Sequence, residues 1–393
     1  MLNELTPQVP DKILMLMEMF RNDPRENKVD LGVGVYKNEA GVTPIMRAIK
    51  SAEKQLWESE TTKSYTGLSG DPGYAQALRN LVLGADFPQE RVAAAATPGG
   101  TGAVRQAFEL VKMSAPEATV WLSSPSWPNH GTILAHLHMP TRSYRYFDDV
   151  TCAVDFAGMM ADLAQVKPGD VVLLHGCCHN PTGANLTLEQ WKQVTEAVMT
   201  RAAIPMIDLA YQGFGDGLDD DAIGVRHVAN TCPEVMIAAS CSKNFGIYRE
   251  RAGLVMTIQR DAEATKLAQG TLAHLNRQNF SFPPDHGARL VTMILNDAGL
   301  RAEWVDELET MRQGMLAMRV ALADELRRLT NSDRFDFLAE HRGMFSRIGV
   351  DADQVVAMRE EHGVYVVGDS RINVAGINET NMAVVAKAVA AVI

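Results

Sequence analysis

The residues with the clearest chemical potential gather around one lysine. Lys243 follows the apolar run Val235-Met236-Ile237-Ala238-Ala239, sits beside Ser240 and Ser242, and precedes Arg251. An amine held just past a strand end and shielded from water loses proton affinity, which makes it nucleophilic. Such an amine is placed to condense with an aldehyde. Serine hydroxyls and a guanidinium beside it suit a phosphate dianion, because arginine grips two phosphate oxygens at once. Aldehyde plus phosphate describes pyridoxal phosphate. Taken alone, Lys243 reads better as an exposed lysine on a strand-to-loop turn; other segments of the chain supply the remaining parts and reverse that preference.

The segment Thr97-Pro98-Gly99-Gly100-Thr101-Gly102 runs into a helical pattern through Phe108. Glycines at a helix start expose backbone N–H groups and the positive dipole end to an anion. The spacing is not G-x-G-x-x-G, so it becomes a second phosphate wall only in combination with Ser240, Ser242 and Arg251. Trp127 lies in a polar, proline-flanked loop expected over Ser123–His130, where a flat aromatic ligand could stack on it. Asp208 ends the run Pro205-Met206-Ile207. An acid there either caps a helix or keeps a pyridine nitrogen protonated, which turns the ring into an electron sink. Tyr211 and Asn180 fall at neighbouring strand ends, as loop residues or as partners of a ring oxygen. Arg371 and Arg277 are surface ion-pair residues or bidentate ligands for the two carboxylates of a dicarboxylic substrate.

These residues need a scaffold. Ala118–Leu122, Asp170–His175, Pro205–Asp208 and Val235–Ser240 are short apolar runs that alternate with helical patterns, one of them near Thr187. Strands apolar throughout, alternating with helices, predict an α/β fold with a mostly parallel sheet covered on both faces. In such sheets ligands lie beyond the carboxyl ends of the strands, where Asn180, Asp208 and Lys243 fall. Leu300–Leu329 predicts a long helix joining two lobes. Gly343–Ile348, Val364–Val367, Arg371–Val374 and an alanine-rich helix over Met382–Val392 read as a smaller α+β lobe. A division into 1–44 (an arm and part of the small lobe), 45–310 (a large cofactor-binding domain) and 311–393 (a small domain) follows. An amphipathic helix is expected over Ile13–Phe20, starting at Pro10 and Asp11.

The chain resembles the class I, fold-type I pyridoxal-phosphate aminotransferases, within them the aspartate aminotransferase group and its bacterial aromatic-amino-acid relatives. The resemblance runs end to end. It is carried by Leu31-Gly32-Val33-Gly34-Val35-Tyr36-Lys37, Thr61–Tyr65, Ser126–His130, His175–Gly183, Ala210–Phe214, Ser242–Gly246 and Arg371–Gly376. It implies that Lys243 carries the cofactor covalently and moves protons, that Asp208 pairs with the ring nitrogen, and that Tyr211 and Asn180 contact the ring oxygen. It implies Trp127 as the stacking residue and Gly100, Thr101, Ser240, Ser242 and Arg251 as phosphate ligands. Gly34 and Arg371 would bind the substrate α-carboxylate, with Trp127 and Asn180 also at the substrate, and His130 and His175 in support. Tyr65 and Arg277 would reach the site of a neighbouring subunit, giving a homodimer with shared sites.

One departure bears on substrate choice. Phe282 stands where strict aspartate enzymes tend to carry a polar residue, so the network around Arg277 is loosened and an aromatic substrate admitted. The expected activity is transamination of dicarboxylic and aromatic L-amino acids with 2-oxoglutarate or oxaloacetate. The alternatives are a strict aspartate aminotransferase, a lyase on the same scaffold, and a non-catalytic nucleotide-binding module.

The bulk properties agree with a globular enzyme. The chain has 393 residues, 46% hydrophobic and 22% charged, enough for two or three structural units. A net charge of −11 at pH 7 argues against nucleic acid or an anionic membrane as the main partner. Five cysteines include the adjacent Cys177 and Cys178, which lack zinc-ligand spacing. No metal is expected, and buried free thiols point to a reducing compartment. The start of the chain lacks a signal-peptide pattern, so the expected location is cytoplasmic.

Overall fold

A computed structural model describes residues 2–7 and 12–393. One sheet contains β1 (Val92–Pro98), β2 (Val120–Ser124), β3 (Thr141–Arg145), β4 (Val171–His175), β5 (Ile204–Leu209), β6 (Val235–Ser240) and β7 (Ala252–Ile258). Their order is β1-β7-β6-β5-β4-β2-β3. Strand pairs from β6 through to β3 are parallel, and β7 runs antiparallel to both β1 and β6. The expected α/β architecture with a mostly parallel sheet is therefore present.

Two-residue periodicity explains why the sheet is covered on both sides. Ala93 and Ala95 of β1 join one apolar cluster, while Ala94 and Ala96 join another. Val172 and Leu174 of β4 divide from Leu173 in the same way, as do Ile237 and Met236 of β6. Each fully buried Val, Leu or Ile side chain contributes about 1.5–3 kcal/mol of transfer free energy.

The topology fixes where chemistry can occur. The carboxyl ends of β1, β2, β4, β5 and β6 share one edge. Because β7 is reversed, it brings its amino end to that edge, with Ala252 opposite Pro98 and Gly253 opposite Ser240.

Some boundaries differ from expectation. Asp170 is not part of β4; its carboxylate accepts from the N–H groups of Thr119 and Lys167 and from Trp121 Nε1–H, each at 3.0 Å. His130 lies on a helix, Pro128–His136, rather than in a loop, because proline is pre-organised for the first helical position. Val364–Tyr365 is a strand of only two residues, since the chain turns back as Val367 N–H donates to Arg371 O and Ser370 N–H to Val367 O. The first long helix spans Lys12–Asn22; Pro10 and Asp11, its expected start, lie outside the described residues.

The helix Ala298–Thr330 begins with Asp297 accepting from Leu300 N–H and ends at Asn331 in the left-handed region, φ 51°. At about 1.5 Å per residue it reaches across the molecule. Trp304, Leu308, Met311 and Met315 enter the core of the large sheet. Leu322, Ala323 and Leu326 enter a separate cluster with Val29, Leu31, Ile372 and Val389. In that second region Phe345–Arg347 pairs antiparallel with Arg371–Asn373, and Val29–Asp30 pairs parallel with Val364–Tyr365. Among the described residues no helix is long and apolar enough to cross a membrane.

Candidate active site

A cleft opens at the shared strand edge, with a free volume of about 770 Å³ including the space open to solvent. One end is formed by the start of the helix Gly99–Ser114, which no side chain caps. Gly99 N–H donates to Arg251 O at 2.8 Å, and the N–H groups that follow it, at Gly100 and Thr101, are the ones offered to an anion. The local sequence is dictated by close approach. A Cβ at Gly99 (φ 68°) would lie 2.4 Å from Arg251 Nη2, and one at Gly100 would lie 2.8 Å from Ser240 Cβ. Arg251 Nη1 donates to Ser242 Oγ at 3.3 Å and to Tyr248 O at 2.9 Å. Gly100, Thr101, Ser240, Ser242 and Arg251 all line this end.

Lys243 projects from the turn after β6. Trp304 fixes that turn: its Nε1–H donates to Asn244 O at 2.7 Å, and its ring stacks on Phe245 at 4.4 Å. The Lys243 amine lies 5.0 Å from the centre of the Tyr211 ring. Burial lowers its proton affinity and Arg251 lowers it further, while Asp208 opposes both.

Asp208, at the end of β5, accepts from His130 Nε2–H at 3.1 Å. The direction of the chain behind it follows from one fixed donor. Asn180 N–H donates to His175 Nδ1 at 3.3 Å, so His175 carries its proton on Nε2 and donates to Ser126 Oγ at 3.2 Å. Ser126 O–H then donates to His130 Nδ1 at 3.0 Å, which leaves the His130 Nε2 proton for Asp208. Burial would raise the Asp208 pKa, but the His130 bond, with His130, His175 and Lys243 nearby, brings it below the usual carboxylate value. The acid is held ionised.

Burial also pushes His175 down to about 3, with His130 adding and Asp208 opposing. His341, outside the cleft, is pushed down to about 4 by burial and by Arg319. Both stay neutral in the fold, while the unfolded chain protonates them near 6.5. Below 6.5 the unfolded state binds more protons, so their contribution is complete above 6.5 and is lost progressively toward 3–4. The melting temperature should fall over this window, and His341→Asn should flatten the acid-side slope. An unchanged slope in that variant removes His341 from the account.

Tyr211 and Asn180 meet across the cleft, with Asn180 Nδ2–H donating to Tyr211 Oη at 3.4 Å. Trp127 and Gly34 line the same space. The Trp127 ring stands edge-on to His130 at 5.1 Å. Arg371 lies behind Asn180: Nη2 donates to Gly32 O at 2.7 Å, and Nη1 reaches Asn180 Oδ1 at 3.5 Å. Its guanidinium rests 4.4 Å from the Phe345 ring centre, and its buried Nε has no protein partner.

Tyr65 and Arg277 do not line this cleft. They sit together on the surface, where Tyr65 is 83% exposed. Tyr65 stacks on Phe282 at 4.7 Å, and Arg277 lies 5.8 Å from the same ring while donating to Ser281 Oγ at 2.5 Å. Tyr248 and Cys177 also line the cleft, although the sequence reading does not single them out. Tyr248 lies in the lysine loop, five residues past Lys243 and three before Arg251, and its Oη accepts from Tyr36 N–H at 3.1 Å. That position is the available signal. Phe345, whose ring a Cβ on Gly34 would meet at 2.7 Å, has no sequence signal.

The donors fit pyridoxal phosphate on four observations: an uncapped helix start with a guanidinium for the phosphate, a lysine of lowered proton affinity for the aldehyde, an ionised acid, and an unpartnered Arg371 Nε for a carboxylate. The family described as aminotransferase class I and II matches residues 26–389. An aromatic-amino-acid aminotransferase of Paracoccus denitrificans is 57% identical over 99% of both chains. An aspartate aminotransferase of Salmonella typhi is 42% identical over the full length of both. The crystal structure of an aromatic-amino-acid aminotransferase from Burkholderia pseudomallei, covalently bound to pyridoxal phosphate, superposes with a TM-score of 0.97 at 40% identity, covering 100% of this chain and 99% of that one. With its fold, its cleft and its full-length similarity in agreement, this chain belongs to the class I and II aminotransferases.

Proposed function

We propose that the chain is a pyridoxal-phosphate-dependent transaminase acting on aromatic and dicarboxylic L-amino acids, with 2-oxoglutarate or oxaloacetate as acceptor. The observation that carries this reading is the joint presence, in one cleft, of the Lys243 amine, the ionised Asp208 and the uncapped helix start with Arg251. The names of the relatives, aromatic-amino-acid and aspartate aminotransferases, support the substrate classes.

Gly100, Thr101, Ser240, Ser242 and Arg251 would hold the phosphate, Trp127 the ring face, Tyr211 and Asn180 the ring oxygen, and Asp208 the ring nitrogen. When bound, the cofactor supplies an aldehyde for the amino group and a ring that withdraws electrons from Cα. Lys243 takes the Cα proton, and its lowered proton affinity favours the neutral, basic amine. Asp208, kept charged by His130, holds a proton on the ring nitrogen. Arg371 and the backbone at Gly34 orient the α-carboxylate, and the free Nε of Arg371 adds a donor there. Phe345 beneath the guanidinium keeps water from its far face.

Tyr65 and Arg277 would act in the cleft of a second copy, making the working unit a homodimer; their exposure and distance from their own cleft support this. A second, smaller lobe is supported by the separate apolar cluster of Val29, Leu31 and residues from Leu322 onward; Met311 and Met315 still pack with the large sheet, which favours a boundary along the long helix between residues 315 and 322 over one at 310.

Arg277 is the proposed ligand of a distal carboxylate. Its neighbour Phe282 offers a ring face and no hydrogen-bond acceptor, so the hydrogen bond to Ser281 Oγ is what must break for the guanidinium to move aside for an aromatic ring. Wild-type enzyme should turn over aspartate, glutamate, phenylalanine and tyrosine. Arg277→Leu should lower kcat/KM for aspartate by about 100-fold or more, the scale of an unpaired charge, and change that for phenylalanine by less than about tenfold. Equal losses for both substrates contradict the assignment.

A further inference from the structure

We infer that Cys177, Cys178 and Asp221 form a binding site for one thiophilic divalent cation, of the zinc and cadmium class, behind the wall of the catalytic cleft. The three residues offer two sulfurs and a carboxylate oxygen that all lie within 4.8 Å of one another, and all three are buried. Adjacent residues on an extended strand point to opposite faces, which is why the sequence spacing of two neighbouring cysteines gives no metal signal. Here Cys178 adopts φ 48°, strand alternation is broken, and the two sulfurs lie within 4.8 Å of each other.

Asp221 arrives from the short turn Asp220–Ala222. Its Oδ2 accepts from the N–H groups of Gly213 and Gly215 at 2.8 and 2.9 Å, and its Oδ1 accepts from Asp216 N–H at 2.9 Å. A carboxylate oxygen has two lone-pair sites, so Oδ1 keeps one for a metal. Two thiolates and one carboxylate, with water as a fourth ligand, match the tetrahedral, sulfur-rich preference of this ion class.

A second observation supplies a path. Cys177 lines the catalytic cleft and also a separate groove formed with Asp216, Asp220 and Asp221. These carboxylates give the groove a negative lining that draws cations inward. Binding is written M²⁺ + 2 R–SH → M(SR)₂ + 2 H⁺: two S–H bonds break, two metal–sulfur bonds form, no electrons transfer, and both protons leave to solvent.

The site touches the catalytic wall. The Cys178 thiol donates to Tyr211 O at 3.9 Å, and metallation removes that hydrogen bond from the turn carrying Tyr211. If the proposed transaminase activity is correct, the bound ion inhibits it; the binding itself does not depend on that activity.

The test is a titration of the holoenzyme with Cd²⁺, read by sulfur-to-metal ultraviolet absorption and by native mass spectrometry. One ion per chain with a thiolate band is expected, and Cys177→Ala and Cys178→Ala should each weaken binding by about 100-fold or more. Asp221→Asn is a weaker test, because that carboxylate also holds three backbone N–H groups. Binding of wild-type affinity in either cysteine variant, or stoichiometric binding without a thiolate band, overturns the site. Loss of the band in both variants without any effect of Cd²⁺ on wild-type turnover leaves the site standing and removes the inhibitory consequence.

Discussion

Lys243→Ala is expected to lower transamination by about 10⁶-fold, the scale seen when a residue acting as both nucleophile and proton carrier is removed from a working site. β6 ends at Ser240, and the following turn is clamped by Trp304 through Asn244 O and Phe245. The side chain at 243 is thus aimed into the cleft by packing that does not involve its amine. Alanine should therefore leave the turn, the melting temperature and the phosphate end intact while removing the one group able to take a proton at Cα. Cofactor should still bind, but without a covalent link. Added methylamine, a small surrogate for the missing amine, should restore part of the rate. A variant that transaminates at the wild-type rate refutes the assignment.

Asp208→Ala should lower kcat by about 10³-fold, the range for removing a preorganised electrostatic partner from a water-poor site. The charge, rather than the shape, is the operative property. Asp208→Asn keeps an acceptor for His130 Nε2–H but no negative charge, and should lose nearly as much. His130→Asn removes one of several groups that hold Asp208 ionised, and should lose less. An unchanged kcat in Asp208→Asn would show that the carboxylate serves only to anchor His130. Cofactor retention, followed by visible absorbance, separates a binding loss from a rate loss.

The legible parts of the site are those in which an unusual residue stands at a strand end. Lys243 and Asp208 follow apolar runs, and polar groups there need a partner, so type and position together point to chemistry. The sheet is legible for the same reason: β4 and β6 are apolar at nearly every position, which a doubly covered sheet explains. Other parts depend on distant pairing. Arg251 reaches the helix start Gly99–Gly100 because β7 runs against its neighbours, and no local pattern carries that reversal. Phe345 meets Gly34 and Arg371 only after the second region folds against the first. The approach of Asp221 to Cys178 likewise joins segments with no shared periodicity. The place of His130 on a helix is hidden because the Pro128 that begins the helix looks, in sequence, like part of a loop.

The central claim is a covalent one, and the most direct measurement is the mass of the polypeptide after borohydride reduction of the holoenzyme, followed by peptide mapping. One reduced cofactor per chain is expected, attached to the peptide containing Lys243 and absent from Lys243→Ala. A reduced adduct on any other lysine, or an unmodified chain from yellow holoenzyme, would contradict it.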